Sequence, residues 1–160
     1  MQENGRVVLS GYESEFVQEF IEVWKRPTPE RLVQCLHADV VLYQSDWEPI
    51  HGVEAAYCEF SRLLSWLPDL RGEVDRYCGS DGILFIEWRM LVPLSSEPLT
   101  IHAVDRFLLH GKLAIERRVF LDEQPLMKAI MKHPTHWASY IKYRSARKNC
   151  AEELQPEPIA

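Results

Sequence analysis

Residues 99–109 read LTIHAVDRFLL, an alternating pattern that predicts a β-strand and from which the rest of the fold can be built outward. Side chains of a strand point alternately to opposite faces of the sheet. One face would carry Ile101, Ala103, Asp105, Phe107 and Leu109. The other would carry Thr100, His102, Val104, Arg106 and Leu108. Asp105 is thus the single carboxylate on an apolar face. A buried carboxylate needs a partner, a shifted pKa or a solvated cavity, which makes Asp105 the candidate catalytic residue.

The strand belongs to a chain in which helical patterns precede strand patterns. Apolar spacing predicts helices over residues 14–25, 28–36 and 53–66, with a short strand at 40–43. Further strands are predicted at 71–78, 83–94, 99–109 and 113–121, joined by turns at 79–82 and 110–111. Three helices followed by an antiparallel meander indicate an α+β domain with the helices packed on one face of a curved sheet.

We expect this domain to span residues 12–123. The segment 124–150 is rich in Lys and Arg and predicts a C-terminal helical extension interrupted at Pro134. Residues 151–160 are acidic and contain proline, which is typical of a flexible tail.

Composition narrows the possible partners. The chain has 160 residues, 46% of them hydrophobic, and a formal net charge of −6. An acidic chain of this kind is not expected to bind nucleic acid. No apolar run is long enough to cross a bilayer and the N-terminus lacks a signal-peptide pattern, so we expect no membrane association and a cytoplasmic location. Four widely spaced cysteines are typical of reduced thiols.

The predicted hairpin between strands 83–94 and 99–109 decides which residue of the preceding strand lies opposite Asp105. If Leu94 pairs with Leu99, Trp88 faces Asp105. A carboxyl group against an indole loses solvation, and its pKa rises.

The following hairpin allows two registers. A two-residue turn at 110–111 would place Glu116 opposite Asp105 with Arg118 beside it, whereas a one-residue bulge would bring Arg117 there instead. The two registers predict opposite pKa shifts for Asp105. Apolar periodicity in residues 113–121 favours the bulge. An ion pair with either arginine would give Asp105 a structural role, since such pairs also perturb carboxylates.

Aromatic residues are numerous enough to line a pocket for a flat, hydrophobic small molecule. The candidate binding residues are Phe20, Trp24, Tyr43, Trp47, His51, Tyr57, Phe60, Trp88, Phe107, Glu116 and Arg118. An aromatic stripe is more often plain core, which stays the alternative for this set. His133 and His136 have no evident third ligand, so we expect no metal site.

A series of short motifs runs through the chain in a recognisable order. They are LHADVVL at 36–42, HGVEA at 51–55, a segment at 60–69 ending in LPD, VDRF at 104–107, GKL at 111–113 and Asp122. In order and spacing they resemble the nuclear-transport-factor-two-like superfamily, which includes SnoaL-like polyketide cyclases, ketosteroid isomerase and scytalone dehydratase. The resemblance covers about residues 14–122. It implies a cone-shaped roll, in which a strongly curved mixed or antiparallel sheet wraps three N-terminal helices around a pocket.

The resemblance also implies a role for Asp105. The pattern Val-Asp-x-Phe followed by Gly-Lys places it where ketosteroid isomerase keeps a protonated aspartic acid and SnoaL-like cyclases keep an acid/base aspartate. The same pattern favours the tight turn at 110–111, in contrast to the apolar periodicity, which favours the bulge. Phe20 stands where the isomerase has its oxyanion tyrosine, and Ser45, followed by Asp46, where it has its general base. The chemistry implied is therefore SnoaL-like: cofactor-independent acid/base work on an apolar, carbonyl-bearing molecule by a cyclase, isomerase or dehydratase.

Three functions are compatible with these patterns: a small enzyme, a non-catalytic domain that binds a small ligand, and a dimerisation module with a vestigial pocket. An open cone with Asp105 at its floor would favour the first two, and a closed, ion-paired Asp105 the third.

The resemblance implies a homodimer through the outer face of the sheet, near Arg89, Thr100 and His102. Tyr140 and Tyr143 in the extension are spaced to pack on the domain, over the mouth of the cone or on the partner subunit.

Overall fold

A computed structural model gives the placement of residues 9–44, 48–94 and 96–153, with side chains described to residue 146. The helices are α1 (Gly11–Lys25), α2 (Pro29–Gln34), α3 (Val53–Trp66), α4 (Gln124–Lys132) and α5 (Pro134–Glu153). The strands are β1 (Leu36–Tyr43), β2 (Ile50–His51), β3 (Arg71–Ser80), β4 (Ile83–Val92), β5 (Leu99–His110) and β6 (Leu113–Leu121).

All six strands form one curved, unclosed sheet in the order β2-β1-β6-β5-β4-β3. β1 and β6 are parallel, and the other neighbouring strands are antiparallel. The helices cover the inner face, which confirms the predicted α+β roll. No helix in the described part of the chain combines the length and apolarity needed to cross a membrane.

α1 begins a turn earlier than the sequence pattern predicts, because Ser10 rather than Ser14 caps it. The Ser10 hydroxyl accepts a hydrogen bond from the Glu13 backbone N–H at 3.4 Å, and the Glu13 carboxylate accepts one from the Ser10 N–H at 2.7 Å. This reciprocal pair is a capping box, which satisfies two N–H groups that the first turn would leave free.

An aromatic cluster joins α1 to the inner face of the sheet. The ring centroid of Trp88 on β4 lies 4.6 Å from Trp24 and 5.7 Å from Phe20, and Phe107 on β5 lies 5.6 Å from Phe20. Most of these pairs are tilted or edge-to-face, the arrangements that aromatic quadrupoles favour. All four rings are buried, so this part of the cone is solid core.

The β4–β5 hairpin has a different register from the predicted one. Val92 pairs with Leu99, and the residue opposite Asp105 is Ile86 rather than Trp88. β4 ends before Pro93, which has no N–H to continue the ladder, so the loop is longer than the Leu94–Leu99 pairing assumed.

The β5–β6 hairpin contains the bulge. Leu109 pairs with Ala114, but Leu108 already pairs with Glu116, so one extra residue lies in β6 between them. Ala114 and Val119 are both buried although their separation is odd, and only an extra residue turns both to the core. The tight-turn register, with Glu116 opposite Asp105, is therefore wrong.

The expectation that the bulge puts Arg117 directly opposite Asp105 is also wrong, because the turn lies at residues 111–112. Asp105 pairs with Val119, and Arg117 pairs with Phe107, the next residue on the same face of β5.

Two further features concern the rest of the chain. The helical extension is broken at His133, between α4 and α5, and α5 continues to Glu153; residues 154–160 of the expected tail lie outside the described residues. Cys35 and Cys78 are free thiols, whereas Cys58 is disulfide-bonded. The expectation of reduced thiols throughout is wrong for Cys58, since spacing along a sequence does not show which cysteines approach in the fold.

Candidate functional site

The bulge in β6 brings Arg117 to the inner face, where it forms an ion pair with Asp105. Asp105 Oδ2 accepts a hydrogen bond from Arg117 Nε at 2.7 Å, and Arg117 Nη2 lies 2.6 Å from the same oxygen in the ion pair. Asp105 Oδ1 accepts one from Trp88 Nε1 at 3.0 Å. Asp105 is 0% exposed and Arg117 is 6% exposed. The structure thus contains the ion-paired alternative, with Arg117 and not Arg118 as the cation.

Electrostatic effects on this pair oppose each other. Burial raises the pKa of Asp105, while the Arg117 guanidinium and the Trp88 N–H act to lower it. Both hydrogen-bond donors address carboxylate oxygens as acceptors, which is the arrangement of an ionised aspartate. The guanidinium also lies 5.8 Å from the ring centroid of Trp24 and 5.7 Å from that of Phe107. Arg117 is therefore positioned by the Asp105 carboxylate and by the rings of Trp24 and Phe107.

Arg117 borders a cavity of about 130 Å³ between the inner face of the sheet, α3, α4 and α5. Its walls are mostly apolar and include Trp24, Phe60, Trp66, Met90, Val119 and Leu126. Asp105 does not border this cavity; it binds the guanidinium that does. Asp105 itself is closed and ion-paired, the arrangement that favours a dimerisation module, but a cavity lies beside its partner Arg117, and this keeps ligand binding among the compatible functions. A smaller space of about 20 Å³ beside Phe20 and Phe107 holds at most a water molecule.

A second buried carboxylate, Glu59 of α3, lies on the wall of the same cavity. Its Oε1 accepts a hydrogen bond from the Tyr143 hydroxyl of α5 at 3.0 Å, and its Oε2 pairs with Arg62. The ring of Trp66 stacks on Tyr143, with centroids 4.7 Å apart and planes at 19°. The cavity therefore has acidic and basic polar groups on its wall and a covering helix.

The predicted binding residues divide into three groups. Trp24 and Phe60 line the cavity, and Phe20, Trp88 and Phe107 form the core around Asp105 and Arg117. These five positions follow from side-chain alternation in the strands and helical spacing in α1 and α3.

A second group does not reach the cavity. Tyr43 pairs with Arg118 on the outer face, where the guanidinium lies 4.1 Å from the ring centroid, and Glu116 pairs with Arg106 on that face. The bulge is the reason for Glu116 and Arg118, since it reverses the facing of the β6 residues that the tight turn would have turned inward. Tyr43 follows buried Leu42 by one position in β1, so alternation turns it outward.

Two helix-proximal candidates are also exposed. His51 lies on the short edge strand β2, and Tyr57 projects from α3, where it donates a hydrogen bond to Glu30 at 2.7 Å. Tyr57 follows buried Ala56 by one position, about 100° round the helix. Trp47, together with Ser45 and Asp46, lies outside the described residues.

Sequence reasoning did not select Glu59 or Tyr143 as binding residues. Glu59 follows buried Ala56 by three positions, and that helical spacing is the signal that could have placed it on the inner face. Tyr143 could be placed over the mouth of the cone only as one of two alternatives. Within residues 9–44, 48–94 and 96–146, no three His, Cys, Asp or Glu side chains converge as a metal site would require.

Comparisons with known proteins agree with this geometry. Residues 17–116 match the family model of the SnoaL-like domain. A candidate SnoaL-like polyketide cyclase from Jannaschia sp. CCS1 is 18% identical with a TM-score of 0.64, covering 81% of this chain and 97% of that one. A second candidate from Shewanella putrefaciens CN-32 is 10% identical with a TM-score of 0.65, covering 78% and 88%.

A third solved structure is that of IdmH from Streptomyces antibioticus, a candidate polyketide cyclase. It is 12% identical with a TM-score of 0.62, covering 73% of this chain and 96% of IdmH. At these identities the likeness concerns the fold. No curated protein is detectably similar to the chain in sequence.

Proposed function

The chain belongs to the SnoaL-like domain family, and from that premise we propose that it binds a small, mostly apolar molecule in the cavity beside Arg117. The observation that supports this most is a buried guanidinium on the wall of an otherwise largely apolar space of about 130 Å³. Apolar walls with a few placed polar groups are the usual composition of small-molecule sites. Arg117 would donate a hydrogen bond to the polar atom of the ligand.

Charge indicates which polar atom this is. Arg117 already faces the carboxylate of Asp105, so a ligand carboxylate would place a second buried negative charge beside one guanidinium. A neutral carbonyl oxygen accepts the hydrogen bond without that cost. Among the described residues, the hydrogen bond and the ion pair of Arg117 with Asp105 involve Nε and Nη2, and Nη1 takes part in neither, so Nη1 is the donor we assign to a ligand. The other charged side chains on the wall are Glu59, Glu123 and Arg144, so the cavity has no excess positive charge for a ligand anion. We therefore infer that the ligand is a neutral carbonyl compound.

Binding can be measured by isothermal titration calorimetry with acetophenone, a one-ring ketone, and benzoate, its anionic counterpart. We expect acetophenone to bind more tightly than benzoate. Arg117→Met should weaken acetophenone binding by about tenfold or more, because a hydrogen bond from a charged donor contributes about 1.5–3 kcal/mol. Arg118→Met is the matched control, since Arg118 lies on the outer face. Equal binding by Arg117→Met and wild type would refute the proposal.

Acid/base catalysis is a second candidate, favoured by the cyclase-like names of the neighbours and by the buried carboxylate of Glu59 on the cavity wall. In that case Arg117 would stabilise the oxygen of an enolate, and Asp105 would position Arg117. Glu59, on the wall of the same cavity, is the carboxylate placed to take the α-proton of the ketone, whose electron pair moves to the carbonyl oxygen.

Proton exchange separates catalysis from binding. A catalytic chain would speed deuterium exchange into the methyl group of acetophenone, followed by NMR, and Glu59→Gln would remove that acceleration. Binding of acetophenone without any acceleration would leave ligand binding as the function of the cavity.

We also propose that two chains associate through the outer face of the sheet. Val104 and Phe120 pair directly across β5 and β6, Phe85 lies beside them on β4, and all three are exposed. Ion pairs such as Arg89 with Asp75 and Arg106 with Glu116 lie on the same face and balance its charge. An apolar centre within a charge-balanced surface is suited to meet its own copy across a two-fold axis.

A further inference from the structure

The wall of the cavity is completed by a part of the chain that follows the family match. That match ends at residue 116, whereas α4 and α5 begin at Gln124 and Pro134. Leu126 of α4 and Tyr140 and Tyr143 of α5 nevertheless line the cavity. These residues are a property of this chain and not of the matched domain.

One face of α5 packs against the domain. Tyr140 and Tyr143 contact the ring of Trp66 with centroid distances of 5.4 and 4.7 Å. Trp66 Nε1 donates to the Ser139 hydroxyl at 3.4 Å, and Tyr143 donates to Glu59 at 3.0 Å. Ser139, Tyr140 and Tyr143 have the spacing of neighbours on one helix face.

The opposite face of α5 is in solvent. Trp137 and Ile141 are separated by one turn and are 50% and 52% exposed. Substitutions at these two positions can therefore change α5 without touching the cavity. They supply a control within the same helix.

The cavity that α5 borders is small for a member of a family that includes polyketide cyclase-like proteins. An apolar protein cavity of about 150 Å³ holds one benzene molecule. With α5 in place, the cavity of about 130 Å³ has room for one ring and a short polar substituent, and none for a fused ring system.

We propose that α5 is a specificity-determining wall, which restricts the cavity to neutral carbonyl compounds of about one ring through Tyr140 and Tyr143. This inference rests on the proposed ligand-binding function and adds the size class of the ligand and the element that sets it. Removing the two phenol rings from the wall should extend the cavity under α5 and admit larger ketones.

The test uses the full chain and three ketones of increasing size: acetophenone, 2-acetonaphthalene and a four-ring steroid ketone. Calorimetry should show that wild type binds acetophenone at least about tenfold more tightly than 2-acetonaphthalene, because overpacking a closed site is costly. Tyr140→Ala/Tyr143→Ala should reverse that order. Trp137→Ala/Ile141→Ala should keep the wild-type order.

Thermal melts of each variant establish that it is folded. If the double variant does not melt cooperatively, Tyr140→Ala alone, which keeps the bond between Tyr143 and Glu59, should still improve binding of 2-acetonaphthalene relative to acetophenone.

The outcomes separate the two proposals. Wild type that binds the steroid ketone as tightly as acetophenone would overturn the inference about α5 and leave ligand binding intact. The same would follow if the Trp137/Ile141 control changed the order as much as the tyrosine variant. Binding of no ketone by wild type or any folded variant would overturn the proposed function, and this inference with it.

Discussion

At the scale of single residues, Asp105 and Arg117 have different roles. Asp105 is enclosed, with both oxygens occupied by N–H donors of Trp88 and Arg117. Arg117 is the member that reaches the cavity. A guanidinium that is bound along one edge by a carboxylate keeps a fixed orientation, so its free edge can present a donor in a defined place. Asp105 thus acts on a ligand through Arg117.

The pair predicts a large and asymmetric effect on stability. Asp105→Asn should lower the free energy of unfolding by about 3–5 kcal/mol, because it leaves the buried Arg117 guanidinium without a counter-charge. Adding Arg117→Met to that variant should restore most of the loss, since it removes the uncompensated buried cation and leaves a neutral amide that still accepts from Trp88 Nε1. Urea denaturation at neutral pH measures both. An Asp105→Asn variant as stable as wild type would show that the pair is not needed to hold Arg117.

At the scale of elements, the sequence was sufficient for the existence of nearly every helix and strand and insufficient for the strand registers. α3 and β6 have the predicted bounds because each lies between clear turn signals in the sequence. Asp105 was correctly placed on the inner face, since side-chain alternation depends only on the strand itself. Its partner could not be decided, because Arg117 and Arg118 exchange faces with a single inserted residue.

Glu13 connects two elements, and its ionisation should contribute to acid unfolding. Its carboxylate accepts N–H bonds from Ser10 at the start of α1 and from Gly82 in the β3–β4 turn at 2.8 Å. These bonds hold the pKa of Glu13 below its usual value of 4.5. The unfolded chain therefore takes up the proton first as pH falls, so the stabilisation is present above about pH 4.5 and lost as pH drops through the folded pKa.

Glu13→Gln should accordingly cost about 1.5–3 kcal/mol at neutral pH, the contribution of hydrogen bonds to a charged group, and the difference from wild type should shrink towards pH 3. Glu15→Gln is the control, because Glu15 lies on the exposed side of the same helix. Denaturant titrations at both pH values measure the effect. A Glu13→Gln deficit that is unchanged at pH 3 would contradict this role.

At the scale of the whole molecule, the inner face of the sheet encloses the aromatic core and the cavity, while the outer face carries paired charges around exposed apolar side chains. Sequence periodicity predicted this division. The cover formed by α5 could be predicted only as an alternative to packing on a partner subunit, since contacts between distant elements depend on tertiary packing. The Trp66–Tyr143 stack resolves it within one chain.

The outer face predicts the oligomeric state. Wild type should sediment as a dimer at micromolar concentration, and Phe120→Arg should shift it to a monomer by placing a cation in the apolar centre of the interface. Ile141→Arg is a matched control, because Ile141 is 52% exposed on α5 and Phe120 is 54% exposed on the sheet. Monomeric wild type, or a dimer lost only in Ile141→Arg, would refute the interface.

The claim on which the proposed function depends is that a ligand occupies the cavity beside Arg117, and the indole N–H signals of the five tryptophans can locate it. Trp24 and Trp66 line the cavity, whereas Trp137 is half exposed on the far face of α5. In a titration with acetophenone followed by proton–nitrogen correlation NMR, we expect the Trp24 and Trp66 signals to shift and the Trp137 signal to stay. The same titration of Arg117→Met should produce much smaller shifts at equal ketone concentration. Unchanged Trp24 and Trp66 signals at a concentration that saturates binding by calorimetry would contradict the proposed site.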